Sequence, residues 1–103
     1  MTTFHASSGA TTTGEPLVTV SGELDLASAD DFLAEVTEAA GDGAVLVLDL
    51  AGVSFMDSTG LGALIKVRNR LVDRGGEITL TAVSPAVERV LELTGMSDVF
   101  GIG

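Results

Sequence analysis

The residue types that could do chemistry gather in one short stretch. Asp57, Ser58 and Thr59 set a carboxylate beside two hydroxyls, and Gly60 and Gly62 keep the following positions free of side chains. The apolar spacing makes this stretch the start of a helix, where unpaired N–H groups and a partial positive charge collect. Asp57 and Ser58 can both cap the turn. The two glycines cost roughly 1 kcal/mol each in helix propensity, which close packing or the close approach of a partner must offset. A capped helix packed on a sheet would explain the same spacing, so these residues alone do not require regulation.

Other chemistries find less support. A Ser-His-Asp arrangement would need His5, the single histidine, to reach Ser58 from a strand far away in sequence. Gly60-Leu61-Gly62 carries two glycines of a dinucleotide fingerprint, but Ile65 and Lys66 stand where the third would follow, and no Gly-Lys-Ser/Thr occurs for a P-loop. Glu23, Asp25 and Asp57 could meet at one end of a sheet and hold Mg²⁺; a solvated acidic rim is the plainer reading. Asp30 and Asp31 read as helix-start charge. Met56 reads as packing, with a surface contact as the alternative. The expectation is a protein without enzymatic activity, metal or cofactor.

The elements that must position Ser58 follow from periodicity. Ala44 to Leu48 is an apolar run continued by Asp49 and Leu50, as expected of a strand buried on both faces. Ala51 to Met56 reads as a loop. Leu61, Leu64, Ile65, Leu71 and Val72 then recur at helical spacing, interrupted at Arg68, with Lys66, Asn69, Arg70 and Asp73 on the other face. Upstream, Phe4 to Ser8 is expected as an edge strand, Gly9 to Gly14 as a turn, and Pro16 to Ser21 as an alternating strand with Val18 and Val20 on one side. Gly22 to Asp25 ends it. Ser28 is the expected N-cap of a helix whose stripe is Phe32, Leu33, Val36, Ala39 and Ala40, stopped by Gly41-Asp42-Gly43. After Gly75-Gly76, Ile78 to Val83 is a strand. Ser84-Pro85 opens a helix with Val87, Val90, Leu91 and Thr94 on one face, and Gly95 closes it. Val99 to Ile102 is expected as a short last strand. The order ββαβαβαβ implies an α/β fold with a mostly parallel sheet and an antiparallel hairpin at its start.

Composition bounds the function. The 103 residues suffice for one domain, expected over 1–103, and 46% are hydrophobic, with Phe as the only aromatic. There is no cysteine, hence no disulfide framework or thiolate metal site. A net charge of −10 argues against nucleic acid and anionic membrane surfaces and suits a basic protein partner. No apolar run is long enough to span a membrane, and Met1 to His5 lacks the features of a signal peptide, so a cytoplasmic location is expected.

Phe55-Met56-Asp57-Ser58-Thr59-Gly60-Leu61-Gly62 resembles the signature of the anti-sigma factor antagonists of the STAS family. The resemblance extends along the chain in order: Ser21-Gly22-Glu23-Leu24-Asp25, Gly75-Gly76-Glu77, Ser84-Pro85-Ala86-Val87, and Leu93 to Phe100. It implies a STAS-like sheet with helices packed against it. Family members usually continue past the last strand into another helix, whereas this sequence stops at Gly103. The resemblance also implies a phosphoacceptor at Ser58, with Thr59 as the rival. The phosphate would come from an anti-sigma factor kinase, and a protein phosphatase would remove it. The implied partner surface is Asp25, Met56, Asp57, Ser58, Thr59, Gly60 and Leu61, on a monomer or weak dimer. The alternative is an accessory domain of a transporter, or a regulatory module that binds a nucleotide or lipid at the same helix start.

Overall fold

Parallel strands need a crossover between them, and three βα units supply the helices of this chain. The computed structural model describes residues 4–41 and 45–101. Its order is β1 (Phe4–Ala10), β2 (Pro16–Leu24), α1 (Ala29–Ala40), β3 (Val45–Met56), α2 (Ser58–Asp73), β4 (Glu77–Val83) and α3 (Pro85–Leu93). The strands lie in the sheet as β1-β2-β3-β4, with β1 antiparallel to β2 and the other pairs parallel. This is the expected α/β fold with a mixed, mostly parallel sheet. The stop at Asp42-Gly43, the strand start at Ala44 and the final Ile102 lie outside the described residues.

Alternation on the strands builds one core. Val18 and Val20 of β2 and Leu46, Leu48 and Leu50 of β3 are fully buried. Above them pack Phe32 and Val36 of α1, Leu64 and Leu71 of α2, and Val87 and Leu91 of α3. On α2 the helical stripe also takes in Ala63 and Val67, while Val72, expected in it, is 44% exposed at the last turn. Ser84 caps α3 as expected, its Oγ accepting from the Val87 N–H at 3.2 Å, with Pro85 in the first turn.

Two expectations are corrected. Residues 51–56 are not a loop: β3 continues to Met56, and β2 with it to Leu24. The pairing survives because the two strands absorb their misfit in register shifts between Thr19 and Ser21 and between Gly22 and Glu23. Gly52 permits this, since a Cβ there would lie 2.9 Å from that of Ser21. Helix α2 begins at Ser58, with both hydroxyls in its first turn as expected. No strand forms over Val99–Gly101, where the backbone bonds are local: the Phe100 N–H reaches Met96 O and the Gly101 N–H reaches Asp98 O. Phe100 still serves the core as a buried side chain.

One contact sets how close α2 can come to the sheet. Gly60 lies in its first turn and is buried. A Cβ at this position would overlap the Leu24 carbonyl oxygen, sit 2.8 Å from the carbonyl carbon, and press on Leu24 Cγ at 3.1 Å. Gly62, two residues on, would place a Cβ with nothing within 4 Å. The two glycines are therefore opposite cases: one is required by packing, the other is not.

Three variants test this arrangement, each by urea unfolding followed by far-UV circular dichroism. Leu64→Ala, at a fully buried position, should cost roughly 2–5 kcal/mol; a loss under about 1 kcal/mol would put Leu64 off the core. Gly60→Ala should destabilise by about 1–3 kcal/mol, since overpacking against backbone outweighs the gain in helix propensity. Gly62→Ala should stabilise by about 0.5–1 kcal/mol. Equal signs for the two alanines would refute the close-approach argument.

Candidate functional site

The site is built where β2 and β3 end side by side. Their register pairs Glu23 with Phe55 and Leu24 with Met56. The chain leaves β3 through Asp57, whose N–H donates to the Leu24 carbonyl at 3.4 Å. Asp57 has extended backbone angles, φ −109° and ψ −173°, and its Oδ1 accepts from the Gly60 N–H at 2.9 Å. This is side-chain N-capping, which satisfies one of the orphan donors of the first turn. Asp57 alone does it. Ser58 was expected to share the capping; instead it is the first helical residue, exposed, and its hydroxyl has no hydrogen bond among the described residues. Thr59, one position further, is half-buried. One residue is about 100° of helix rotation, so the two hydroxyls face different surroundings.

The neighbouring turn is held as firmly. Asp25 follows β2, and its Oδ1 accepts from the N–H groups of Ala27 at 3.0 Å and Ser28 at 3.2 Å. Ser28 was expected to cap α1, but its backbone, φ −107° and ψ −8°, is already in the helical region, and its side chain makes no capping bond. Its buried hydroxyl works backwards along the chain, donating to the Glu23 carbonyl at 2.7 Å and accepting from the Asp25 N–H at 3.0 Å. Ser28 thus ties the end of β2 to the start of α1. A hydroxyl two residues before two aspartates looks like a cap in sequence, and nothing in the sequence marks this other use.

The structure sorts the expected site residues. Asp25, Asp57, Ser58 and Thr59 are brought to the same end of the sheet through the β2–β3 register. Gly60, Met56 and Leu61 are not at the surface: Met56 and Leu61 are 4% and 7% exposed and belong to the core. Met56 continues the inward positions of β3, as its reading as packing implied, and Leu61 lies on the sheet-facing stripe of α2 where the helical spacing put it, so neither offers the partner surface that the resemblance implied. Gly60 makes room for Leu24, not for a partner. Two large apolar residues take the exposed places instead, Leu26 in the turn after β2 and Phe55 near the end of β3. The broken alternation at Ser54-Phe55 and an isolated leucine between Asp25 and Ala27 were the signals available.

The other chemistries can now be placed. His5 is on edge strand β1, opposite Ser21 of β2. With strands about 4.8 Å apart, it lies roughly 10 Å to the side of β3, beyond direct hydrogen-bond reach of Ser58. Among the described residues, no group of three His, Cys, Asp or Glu side chains is arranged to hold a metal ion. No helix among the described residues is long and apolar enough to cross a membrane.

Known proteins resemble the whole of this arrangement. The profile of the STAS domain matches residues 9–103. The anti-sigma-B factor antagonist of Bacillus subtilis is 34% identical over 85 residues, covering 82% of this chain and 78% of that protein. The anti-sigma F factor antagonist of Paenibacillus polymyxa is 33% identical over 91 residues, covering 86% and 78%. Among solved structures, an anti-sigma factor antagonist from Mycobacterium paratuberculosis superposes with a TM-score of 0.83 at 29% identity, covering 96% of this chain and 84% of that one. The murine solute carrier 26 family member A9 anion transporter shares the fold over 99% of this chain and 20% of its own, with a TM-score of 0.74 at 21% identity. The fold, the Asp57-Ser58-Thr59-Gly60 turn and the relatives agree: this chain belongs to the STAS domain family.

Proposed function

We propose that this protein is an anti-sigma factor antagonist switched by phosphorylation at Ser58. Unphosphorylated, it binds an anti-sigma factor kinase and so frees a sigma factor; phosphorylated, it lets go. The observation that carries the reading is the division of roles at the start of α2. Asp57 takes the cap, which leaves the Ser58 hydroxyl exposed and unbonded among the described residues. The relatives from Bacillus and Paenibacillus bear the name of anti-sigma factor antagonists, which supports the antagonist part of the reading. The site offers no base of its own: the kinase would supply it, taking the hydroxyl proton as Ser58 Oγ forms a bond to the γ-phosphorus of ATP and ADP leaves. A protein phosphatase would reverse the step by hydrolysis. These partners place the switch in the cytoplasm.

Charge explains why the product dissociates. A phosphate adds about −1.5 to −2 at pH 7. The first turn of α2 receives it, because the amides of Ser58 and Thr59 have no acceptor among the described residues. The fold therefore tolerates the group, whereas an interface built around a neutral hydroxyl does not. Each 1.4 kcal/mol or so lost there weakens binding tenfold. The switch works on the interface and leaves the core as it is.

The transporter-domain reading draws on the shared fold alone. It predicts no phosphoryl transfer, so one experiment separates the two. Incubation with the anti-sigma factor kinases of the source genome and ATP, followed by intact-mass measurement, should add one phosphate to the wild type and none to Ser58→Ala. Ser58→Ala should retain kinase binding and resist release; Ser58→Asp should bind more weakly. A peptide map placing the group on Thr59 would move the site by one residue and keep the mechanism. A Ser58→Ala, Thr59→Ala double variant phosphorylated as well as the wild type would end it.

Salt provides a second check. An acidic chain of net charge −10 that recruits a basic surface should bind its partner less tightly as ionic strength rises. Titration between about 0.05 and 0.5 M salt should show a fall in affinity concentrated in the association rate. An affinity unchanged across that range would make the contact essentially apolar.

A further inference from the structure

Two large apolar side chains stand exposed at the ends of β2 and β3, where the chain passes toward the Ser58 turn, and the capping bonds of that turn use neither. Leu26 is 76% exposed and Phe55 is 47% exposed. A single exposed leucine is ordinary on any protein surface. These two stand on adjoining strand ends. Phe55 is opposite Glu23 in the β2–β3 register, and Leu26 is two residues beyond Leu24, whose carbonyl receives the Asp57 N–H. The turn that carries Leu26 is braced by the Asp25 carboxylate, which accepts from Ala27 and Ser28, and by the buried Ser28 hydroxyl. A side chain presented on a braced turn loses little freedom when it binds, so more of its burial appears as affinity.

The charge around these residues selects the occupant. Glu23, Asp25 and Asp57 border them, and every lysine and arginine of the chain comes at residue 66 or later. Lys66 is eight residues into α2, about 12 Å along its axis from Ser58 at 1.5 Å per residue. A second copy joined symmetrically would set the same carboxylates against themselves. An anionic membrane would be repelled likewise. A protein with an apolar cleft rimmed by basic residues is complementary.

We propose that Leu26 and Phe55 are the apolar anchors by which the kinase partner docks around Ser58, inside a carboxylate rim that selects a basic surface. This rests on the reading of Ser58 given above. The anchors hold the phosphoacceptor turn in the partner's active site without touching the reacting atoms, so their loss acts on binding and not on the chemical step.

The test uses the full chain and the purified anti-sigma factor kinase that phosphorylates it, with Mg-ATP. Leu26→Ser and Phe55→Ser are compared with Leu93→Ser, which removes a 77% exposed leucine from the far end of α3. Circular dichroism and urea midpoints establish that all three fold. The expected result is a KM for the chain raised about tenfold by Leu26→Ser and by Phe55→Ser, with kcat within twofold of wild type and Leu93→Ser unchanged. Phosphorylation of the wild type with unaltered KM in both anchor variants would overturn the proposal and leave the Ser58 reading standing. An equal rise in KM for Leu93→Ser would overturn it as well, since the effect would be one of general hydrophobicity. If no anti-sigma factor kinase of the source genome phosphorylates the wild type, the Ser58 reading falls, and this proposal with it.

Discussion

The ends of β2 and β3 meet at one carbonyl group, that of Leu24. It accepts the Asp57 N–H and lies against the bare Cα of Gly60. A main-chain oxygen offers no side chain to select, and a glycine offers none to pack, so the joint depends on two backbones coming closer than any Cβ would allow. From this joint follow the entry angle of α2, the extended backbone of its cap residue, and the rim on which Ser58 stands. The core beneath it, from Val18 to Leu91, holds the strands that make the approach possible.

The cap and the free hydroxyl belong to separate residues, and that separation gives the site its character. A serine that caps a helix spends its oxygen on a backbone N–H. Here Asp57 performs that task one position earlier, its Oδ1 accepting from the Gly60 N–H. Ser58 is thereby left in a fixed, helical backbone with an uncommitted hydroxyl. The same economy of roles appears across the rim, where Asp25 and Ser28 bond to each other's backbone and lock a turn.

Much of this was legible in the sequence, because alternation and helical periodicity report burial directly. The core positions of β2, the stripe of α1, the Ser84-Pro85 start of α3 and the Asp57-Ser58 turn could all be read. What could not be read depended on contacts between distant segments. Residues 51–56 look like a loop until β2 is laid beside them, since Gly52 and the register shifts disguise the strand. Gly60 is open to close packing or to a partner's approach until Leu24 is seen to fill the space. Met56 and Leu61 read as packing from their spacing and as partner surface from the motif's resemblance, and the pleat of β3 and the stripe of α2 settle both as core. Val99–Gly101 has strand-like residues, but its backbone bonds are spent locally in turns.

The parallel pairing of β2 with β3 also bears on how the molecule comes into being. Leu24 and Asp57 are separated by the whole of α1 and β3, so their joint cannot form while only nearby segments have met. Loop closure must come before any such long-range pairing is rewarded, which makes parallel sheets slow to assemble. A half-made chain displays the Ser58 hydroxyl as openly as a finished one does, but without Leu24 beneath Gly60 it has no fixed turn to present. The turn is therefore a mark of completion: it exists as a fixed shape only in chains whose β2 and β3 have already paired.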